Sequence, residues 1–105
     1  MSEQTDPDSE LERKLLDHLH SRGLRLPDQA QPKVQGIYCM PDFLYRPDVY
    51  VFCDGSVHDE PEQRERDRQQ REALRNAGLQ VLVLRYTEDI AAFVDQRPDI
   101  FPRVR

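Results

Sequence analysis

The N-terminal third of the chain shows one helical pattern followed by a loop. Leucines recur at the spacing of an α-helix and predict an amphipathic helix over 10–22. Ser9 stands at a good N-cap position, and Glu12, three residues later, completes a capping box. Residues 1–8 are polar and acidic without this periodicity, so we expect a disordered lead there. Residues 27–32 begin and end with proline and predict a loop.

Apolar residues in the middle of the chain predict three strands. The first is a weak strand over 33–35 that ends at Gly36, and the second runs over 37–45. Pro47 marks a turn, because proline fixes its own φ and holds the preceding residue extended. The third strand, over 49–54, is mostly apolar on both faces and is therefore expected at the centre of a sheet.

The second half of the chain predicts a helix, a strand and a final short helix. Charged residues dominate the helix over 61–77, whereas the strand over 79–85 is apolar and expected to be strongly buried. A short helix follows over 88–96, and the tail is expected to pack through Ile100 and Phe101. The strand–helix–strand unit predicts a parallel crossover, so the fold class is α/β.

Length and composition limit the kind of protein. The chain has 105 residues, of which 37% are hydrophobic and 33% charged, and this fits a single domain over 9–105 with a modest core. No apolar run approaches the length of a membrane span and no signal peptide is visible, so we expect a cytoplasmic protein without a membrane partner. Without an export signal, Cys39 and Cys53 are expected to be reduced thiols.

Two acids and a histidine form the candidate site. Asp42 and Asp54 lie in the strands on either side of the predicted turn, and His58 follows in a loop. If the turn centres near Pro47 and its successor, Asp42 faces Cys53 and is diagonal to Asp54, which allows the carboxylates to share a divalent cation. His58 beside them can move a proton. The alternative is that both acids are solvated strand ends and that the histidine faces solvent.

Charged residues on the two longer helices leave further alternatives open. Glu12 is either a helix cap or a catalytic acid. The helix over 61–77 alternates in charge, which is typical of an exposed face with many ion pairs, or else its arginines form a ridge for phosphates. Because the net charge is −5, nucleic-acid affinity must come from such a local patch, from a metal or from a larger carrier protein. The arginines of the ridge are Arg64, Arg68, Arg71 and Arg75.

Short motifs occur in a fixed order over residues 9–90. They are Pro41-Asp42-Phe43, Cys53-Asp54-Gly55, His58, Glu65-Arg66-Asp67-Arg68 and Gly78. This set resembles the very-short-patch-repair (Vsr-like) endonucleases of the PD-(D/E)XK nuclease superfamily. It is also similar to the small nuclease-like modules at the C-terminal ends of some bacterial DEAD/DEAH-box helicases.

The resemblance implies a fold and an activity. The fold is a restriction-endonuclease-like αβββαβ core, in which helices flank a mixed four-stranded sheet. The activity is hydrolysis of phosphodiester bonds in DNA with Mg²⁺, or with Mn²⁺ in its place. The implied partners are DNA and a helicase or another repair or defence protein, in the same chain or a separate one.

The resemblance also implies a role for each site residue. Asp42 is the principal metal ligand, Cys53 adds its backbone carbonyl, and Asp54 stands where Vsr-like enzymes have a histidine and related modules an aspartate. His58 assists proton transfer, and Glu12 orients the attacking water.

The chain departs from the superfamily pattern at several points. Phe52 occupies a position where an acid often stands, and no lysine follows at the expected spacing. The zinc-binding cysteines and histidines of mismatch-repair enzymes are missing, as are the aromatic residues that they wedge into DNA. A second hypothesis is therefore a catalytically weak or inactive nuclease-fold module that binds nucleic acid or a partner protein.

Overall fold

The computed structural model describes residues 7–34, 36–37, 39–55 and 61–104. In this part of the chain the elements follow the predicted order of helix, three strands, helix, strand and helix. Their bounds are α1 (Pro7–Ser21), β1 (Gln29–Ala30), β2 (Phe43–Tyr45), β3 (Val49–Asp54), α2 (Pro61–Asn76), β4 (Gln80–Arg85) and α3 (Ile90–Asp95). No helix among the described residues is long and apolar enough to span a membrane.

The strands form one four-stranded sheet in the order β1-β2-β3-β4. β2 pairs antiparallel with both β1 and β3. Hydrogen bonds from Gln80 N to Asp48 O and from Tyr86 N to Asp54 O advance in the same direction along β3 and β4, so these strands are parallel. The sheet is therefore mixed and has flanking helices, which confirms the α/β class and the parallel crossover.

Contacts divide the chain into two compact units. Of the described residues, those up to Leu26, 53–55 and those from Leu84 onward form the first unit, and 27–52 with 61–83 form the second. Each strand of the β3–β4 pair contributes residues to both units.

In the first unit, α1 packs against α3, and the segment after α1 bonds to the C-terminal tail. Two inward-facing leucines of α1, Leu15 and Leu19, are fully buried. Phe93 of α3 contacts Phe101 of the tail with ring centroids 5.9 Å apart. Backbone hydrogen bonds from Arg25 N to Pro102 O and from Val104 N to Gly23 O, both 2.9 Å, fasten the tail to the segment after α1. The predicted packing of the tail is confirmed.

In the second unit, β2 and β3 bury most of both faces of their hairpin. Phe43 pairs with Val51 and Tyr45 pairs with Val49, and all four side chains are at most 5% exposed. These cross-strand pairs are aromatic against β-branched, a combination that packs well in sheets. The turn at Arg46–Asp48 is where Pro47 predicts it.

α1 begins earlier than predicted. It starts at Pro7, so Ser9 lies inside the first turn and the prediction that it caps the helix was wrong. Proline is favoured at the first helical position because its missing N–H has no partner to lose there and its φ is already helical. Residues 1–6 of the predicted disordered lead lie outside the described residues.

The strands before β3 also differ from the prediction. No strand forms at 33–34, residue 35 is outside the described part, and β1 lies instead at Gln29–Ala30 inside the predicted loop. β2 covers only the last three residues of the predicted strand over 37–45. The prolines at 32 and 41 cannot donate to a ladder, and none of the described residues between them belongs to the sheet.

β4 is less buried than its composition predicts. Only Leu84 is fully buried, whereas Val81, Leu82 and Val83 are half-buried. β4 is the last strand in the sheet order, so a neighbouring strand covers it on one side only. An apolar run identifies a strand but does not tell a central strand from an edge strand.

The packing of α1 makes a stability prediction. Replacing the fully buried Leu15 with alanine should lower the free energy of unfolding by about 2–5 kcal/mol, because it removes buried methyl groups and leaves a cavity. Urea unfolding followed by circular dichroism measures this loss. Leu26→Ala is the matched control, because Leu26 is 45% exposed and should cost far less. Equal losses in the two variants would contradict the assigned core.

Candidate functional site

Asp42 lies immediately before β2 in the second unit, and its backbone is fixed on both sides. Its N–H donates to Val51 O at 2.9 Å, and its carbonyl accepts from Gln31 N at 2.8 Å. The residue is half-buried. The main chain of Asp42 is therefore fixed on both sides by β-sheet hydrogen bonds, and that Asp42 binds a metal stays a prediction.

The predicted hairpin register was wrong by one residue. The prediction placed Asp42 opposite Cys53, but the ladder pairs Phe43 with Val51, and Asp42 bonds to Val51 as well. The turn uses three residues, Arg46 to Asp48, and centres on Pro47, whereas the prediction centred it between Pro47 and its successor. Register depends on the number of turn residues, so this small difference moves every opposed pair.

Asp54 and Cys53 end β3 in the first unit. Asp54 is half-buried, and its carbonyl accepts from Tyr86 N, the residue that follows β4, at 2.9 Å. Both strands of this parallel pair therefore end beside Asp54, and the carboxyl ends of parallel strands are where ligand sites usually form. Cys53 is buried and Cys39, in the second unit, is half-buried. Both are free thiols. That the Cys53 carbonyl binds metal stays a prediction.

Glu12 is a half-buried residue of α1 in the first unit. Because α1 begins at Pro7, Glu12 is not in a capping box, and this alternative for the residue is excluded. It lies next to Leu11, which is 7% exposed and faces the core. Its catalytic role stays a prediction.

His58 lies outside the described residues, and its role also stays a prediction. Among the residues that the structure does describe, no three His, Cys, Asp or Glu side chains form a group that could hold a metal ion. Asp42 belongs to the second unit, whereas Glu12, Cys53 and Asp54 belong to the first.

Arg68 of α2 is held by two glutamates of the same helix. It contacts Glu65 one turn before it and Glu72 one turn after it, the latter at 2.6 Å. Hydrogen bonds from Arg68 hold the pKa of Glu65 below its usual value, and the same contacts raise the pKa of Arg68. This is the exposed, ion-paired face that alternating charge predicts.

The other three arginines of the predicted ridge are in different surroundings. Arg64 and Arg75 are exposed. Arg71 is half-buried, and its guanidinium carbon lies 4.8 Å from the centre of the Phe52 ring on β3. This is within the range of a cation–π interaction. The spacing of the four arginines places them on one face of α2. Of these, Arg71 differs in that it contacts the sheet at Phe52.

The sequence prediction missed a cavity of about 460 Å³ in the second unit. It is lined by described residues of the segment 31–42, including Asp42 itself. The signal was present in the sequence, since Pro32, Gly36 and Pro41 punctuate this segment as a loop rather than a strand.

Comparison of the chain with protein-family models, with curated proteins and with solved structures found no match.

The contact between Arg71 and Phe52 can be measured directly. In a double-mutant cycle with Arg71→Met and Phe52→Leu, we expect a coupling free energy of about 0.5–2 kcal/mol for unfolding. The reason is that each single substitution removes the same cation–π pair. Arg75→Met with Phe52→Leu is the control pair and should show additive losses, since Arg75 is exposed. Additivity in both cycles would show that the Arg71 stack contributes nothing to stability.

Proposed function

We propose that this chain is a metal-dependent DNA endonuclease domain that hydrolyses phosphodiester bonds. The support is the order of helices and strands, the mixed four-stranded sheet, and the placement of an aspartate immediately before β2. The observation that carries the proposal is the fixed backbone of Asp42, which is bonded at both its N–H and its carbonyl.

Fixing the backbone of Asp42 matters for catalysis. A residue whose backbone is already fixed loses less conformational entropy when its carboxylate binds a cation, because only the side-chain torsions remain to be ordered. Asp42 is also half-buried, so it is shielded from bulk water without being closed to a ligand. Carboxylate oxygens are the ligands that Mg²⁺ and Mn²⁺ prefer.

The remaining roles follow the sequence prediction. Asp42, Asp54 and the carbonyl of Cys53 would hold Mg²⁺, or Mn²⁺ in its place. The bound cation would supply charge stabilisation at the phosphate. Glu12 would orient the attacking water, and His58 would accept or return a proton.

DNA contact is proposed for the arginine face of α2. The chain carries a net charge of −5, so a cationic strip must be local to attract a polyanion. Arg64 and Arg75 are exposed at the two ends of the strip, whereas Arg68 is partly neutralised by its two glutamates. We therefore assign most of the phosphate attraction to Arg64 and Arg75.

A second candidate function is a catalytically weak or inactive nuclease-fold module. One observation favours it. Phe52, at the position where the superfamily often has an acid, is 6% exposed and covered by Arg71. This position contributes no carboxylate, so the chain has fewer potential ligands than an active member would have. Such a module would bind DNA or a helicase, repair or defence protein without fast cleavage.

The endonuclease proposal predicts that nicking of supercoiled plasmid depends on Asp42. With Mg²⁺ or Mn²⁺, Asp42→Asn should lower the cleavage rate by at least about 100-fold, because an amide is a poorer cation ligand than a carboxylate. Asp95→Asn is the matched control, since Asp95 is an exposed residue of α3, and it should cleave like the unmodified protein. Cleavage that is the same in both variants rules out the assignment.

Calorimetry with Mg²⁺ separates the two candidate functions. Binding that is lost in Asp42→Asn supports the endonuclease. No binding up to millimolar Mg²⁺, together with retained DNA binding, supports the inactive module.

The arginine face predicts how DNA affinity responds to salt. The slope of log affinity against log salt concentration should fall by about 1 for Arg64→Ala and again by about 1 for Arg75→Ala, because each loses one phosphate contact. Fluorescence anisotropy with a labelled oligonucleotide measures the slope. Arg13→Ala, which removes an exposed arginine of α1, should leave it unchanged. If the slope fell equally in all three variants, DNA affinity would depend on the total charge of the protein and not on the arginine face of α2.

A further inference from the structure

Described residues of the segment 31–42 line a cavity, and the two ends of the segment are hydrogen-bonded to each other. A hydrogen bond of 2.8 Å from Gln31 N to Asp42 O joins its two ends. The cavity of about 460 Å³ is lined by described residues of this segment. Compact surface loops with joined ends are often functional, and the volume lies within the roughly 300–1,000 Å³ typical of small-ligand sites.

The lining combines an apolar wall with a few polar groups. Val34, Ile37 and Met40 supply apolar surface, together with two buried prolines of the loop. Gln31 and Lys33 supply hydrogen-bond donors. An apolar wall with a small number of polar groups is the usual composition of a ligand site.

Two features of the loop are consistent with contact by a ligand or partner. Met40 leaves 78% of its surface exposed, and covering apolar surface of this kind lowers the free energy of the system. Gln31 has a φ of 49°, a left-handed conformation that non-glycine residues rarely adopt. Strained backbone of this kind concentrates at ligand sites.

We propose that this cavity binds a single unstacked nucleobase of the DNA strand whose phosphate lies at Asp42. The inference rests on the proposed function and names its substrate class, which is single-stranded or locally unpaired DNA. A base inside a duplex is stacked and paired, and it cannot enter a side pocket without being extruded. Apolar side chains can pack against the face of an extruded base.

The polar lining distinguishes a nucleotide from an apolar peptide segment. A nucleotide offers acceptors to both donors, its base edge to the Gln31 amide and its phosphate to the Lys33 ammonium. An apolar peptide segment offers only its uncharged backbone carbonyls, whereas the phosphate is an anionic acceptor for the ammonium. Asp42 lines the same cavity, so a base in the cavity brings its phosphate to the proposed metal ligand.

Cys39 provides a built-in reporter of occupancy. Its half-buried thiol lines the cavity, and Cys53, at 3% exposed, provides an internal reference. Burial raises the pKa of the Cys39 thiol, so alkylation should speed up as the pH rises, because the fraction of reactive thiolate grows.

The experiment measures alkylation of Cys39 by iodoacetamide in the full chain with EDTA present, so that no DNA is cut. Mass spectrometry follows Cys39 and Cys53 separately. Single-stranded oligothymidylate at about ten times its dissociation constant should slow Cys39 about tenfold, because only unoccupied protein reacts. A blunt duplex and an abasic strand of the same length should leave the rate unchanged, although both carry the phosphates.

Cavity-filling variants provide the control for the protein side. In Val34→Trp, the larger side chain should fill the cavity. This variant should bind the abasic strand as before but lose the preference for the strand with bases. Met40→Ala, at an exposed position and therefore safe for folding, should weaken that preference in the same direction. Circular dichroism checks that both variants are folded.

Several results would overturn the inference. One is equal slowing by the abasic strand, and another is bound oligothymidylate that leaves Cys39 unaffected. Slowing by N-acetyl-leucinamide but not by the oligonucleotide would assign the cavity to an apolar peptide instead. Base-dependent protection in a protein whose cleavage does not require Asp42 would overturn the endonuclease alone. Asp42-dependent cleavage without protection would overturn only the cavity assignment.

Discussion

The antiparallel ladder between β2 and β3 is the constraint on which the second unit depends. Four side chains, two aromatic and two β-branched, are buried on one face of a hairpin whose shorter strand has only three residues. A shift of one residue would move all of them to the opposite face, where Leu44 and Phe52 are already buried, so every packing contact of the hairpin would change. The N–H of Asp42 donates to the carbonyl of Val51, a residue of this ladder. The packing of the hairpin therefore also decides where the acid lies.

Charge on α2 shows how a net-acidic chain can keep a cationic strip. Glutamates one turn before and one turn after Arg68 neutralise the middle of the strip, and Arg71 rests on an aromatic ring. Exposed ion pairs of this kind contribute little to stability and are screened by salt. Their effect is on the distribution of positive charge, which is concentrated towards the two ends of the helix.

The sequence predicted the parts of the fold that follow from local periodicity. Helix α2 and strand β3 have long, uninterrupted patterns, and both appear with nearly the predicted bounds. The two-residue strand β1 could not be predicted, because Gln29 and Ala30 form a strand only through pairing with Leu44 and Phe43. The half-burial of β4 has a similar origin, since position in a sheet is set by its neighbours and not by its own residues. At the site, the acids were evident from residue type, whereas the cavity depends on a hydrogen bond between positions eleven residues apart.

The hydrogen bond between Gln31 and Asp42 allows the loop to change without changing the position of Asp42. It fixes both ends of the loop, so the residues between them can be replaced, or their number altered, without shifting the acid or the strand after it. The chemistry of the carboxylate and the shape of the cavity can therefore diverge independently. A chain built this way can change the shape of its cavity through substitutions in the loop alone, while the hairpin keeps Asp42 in place.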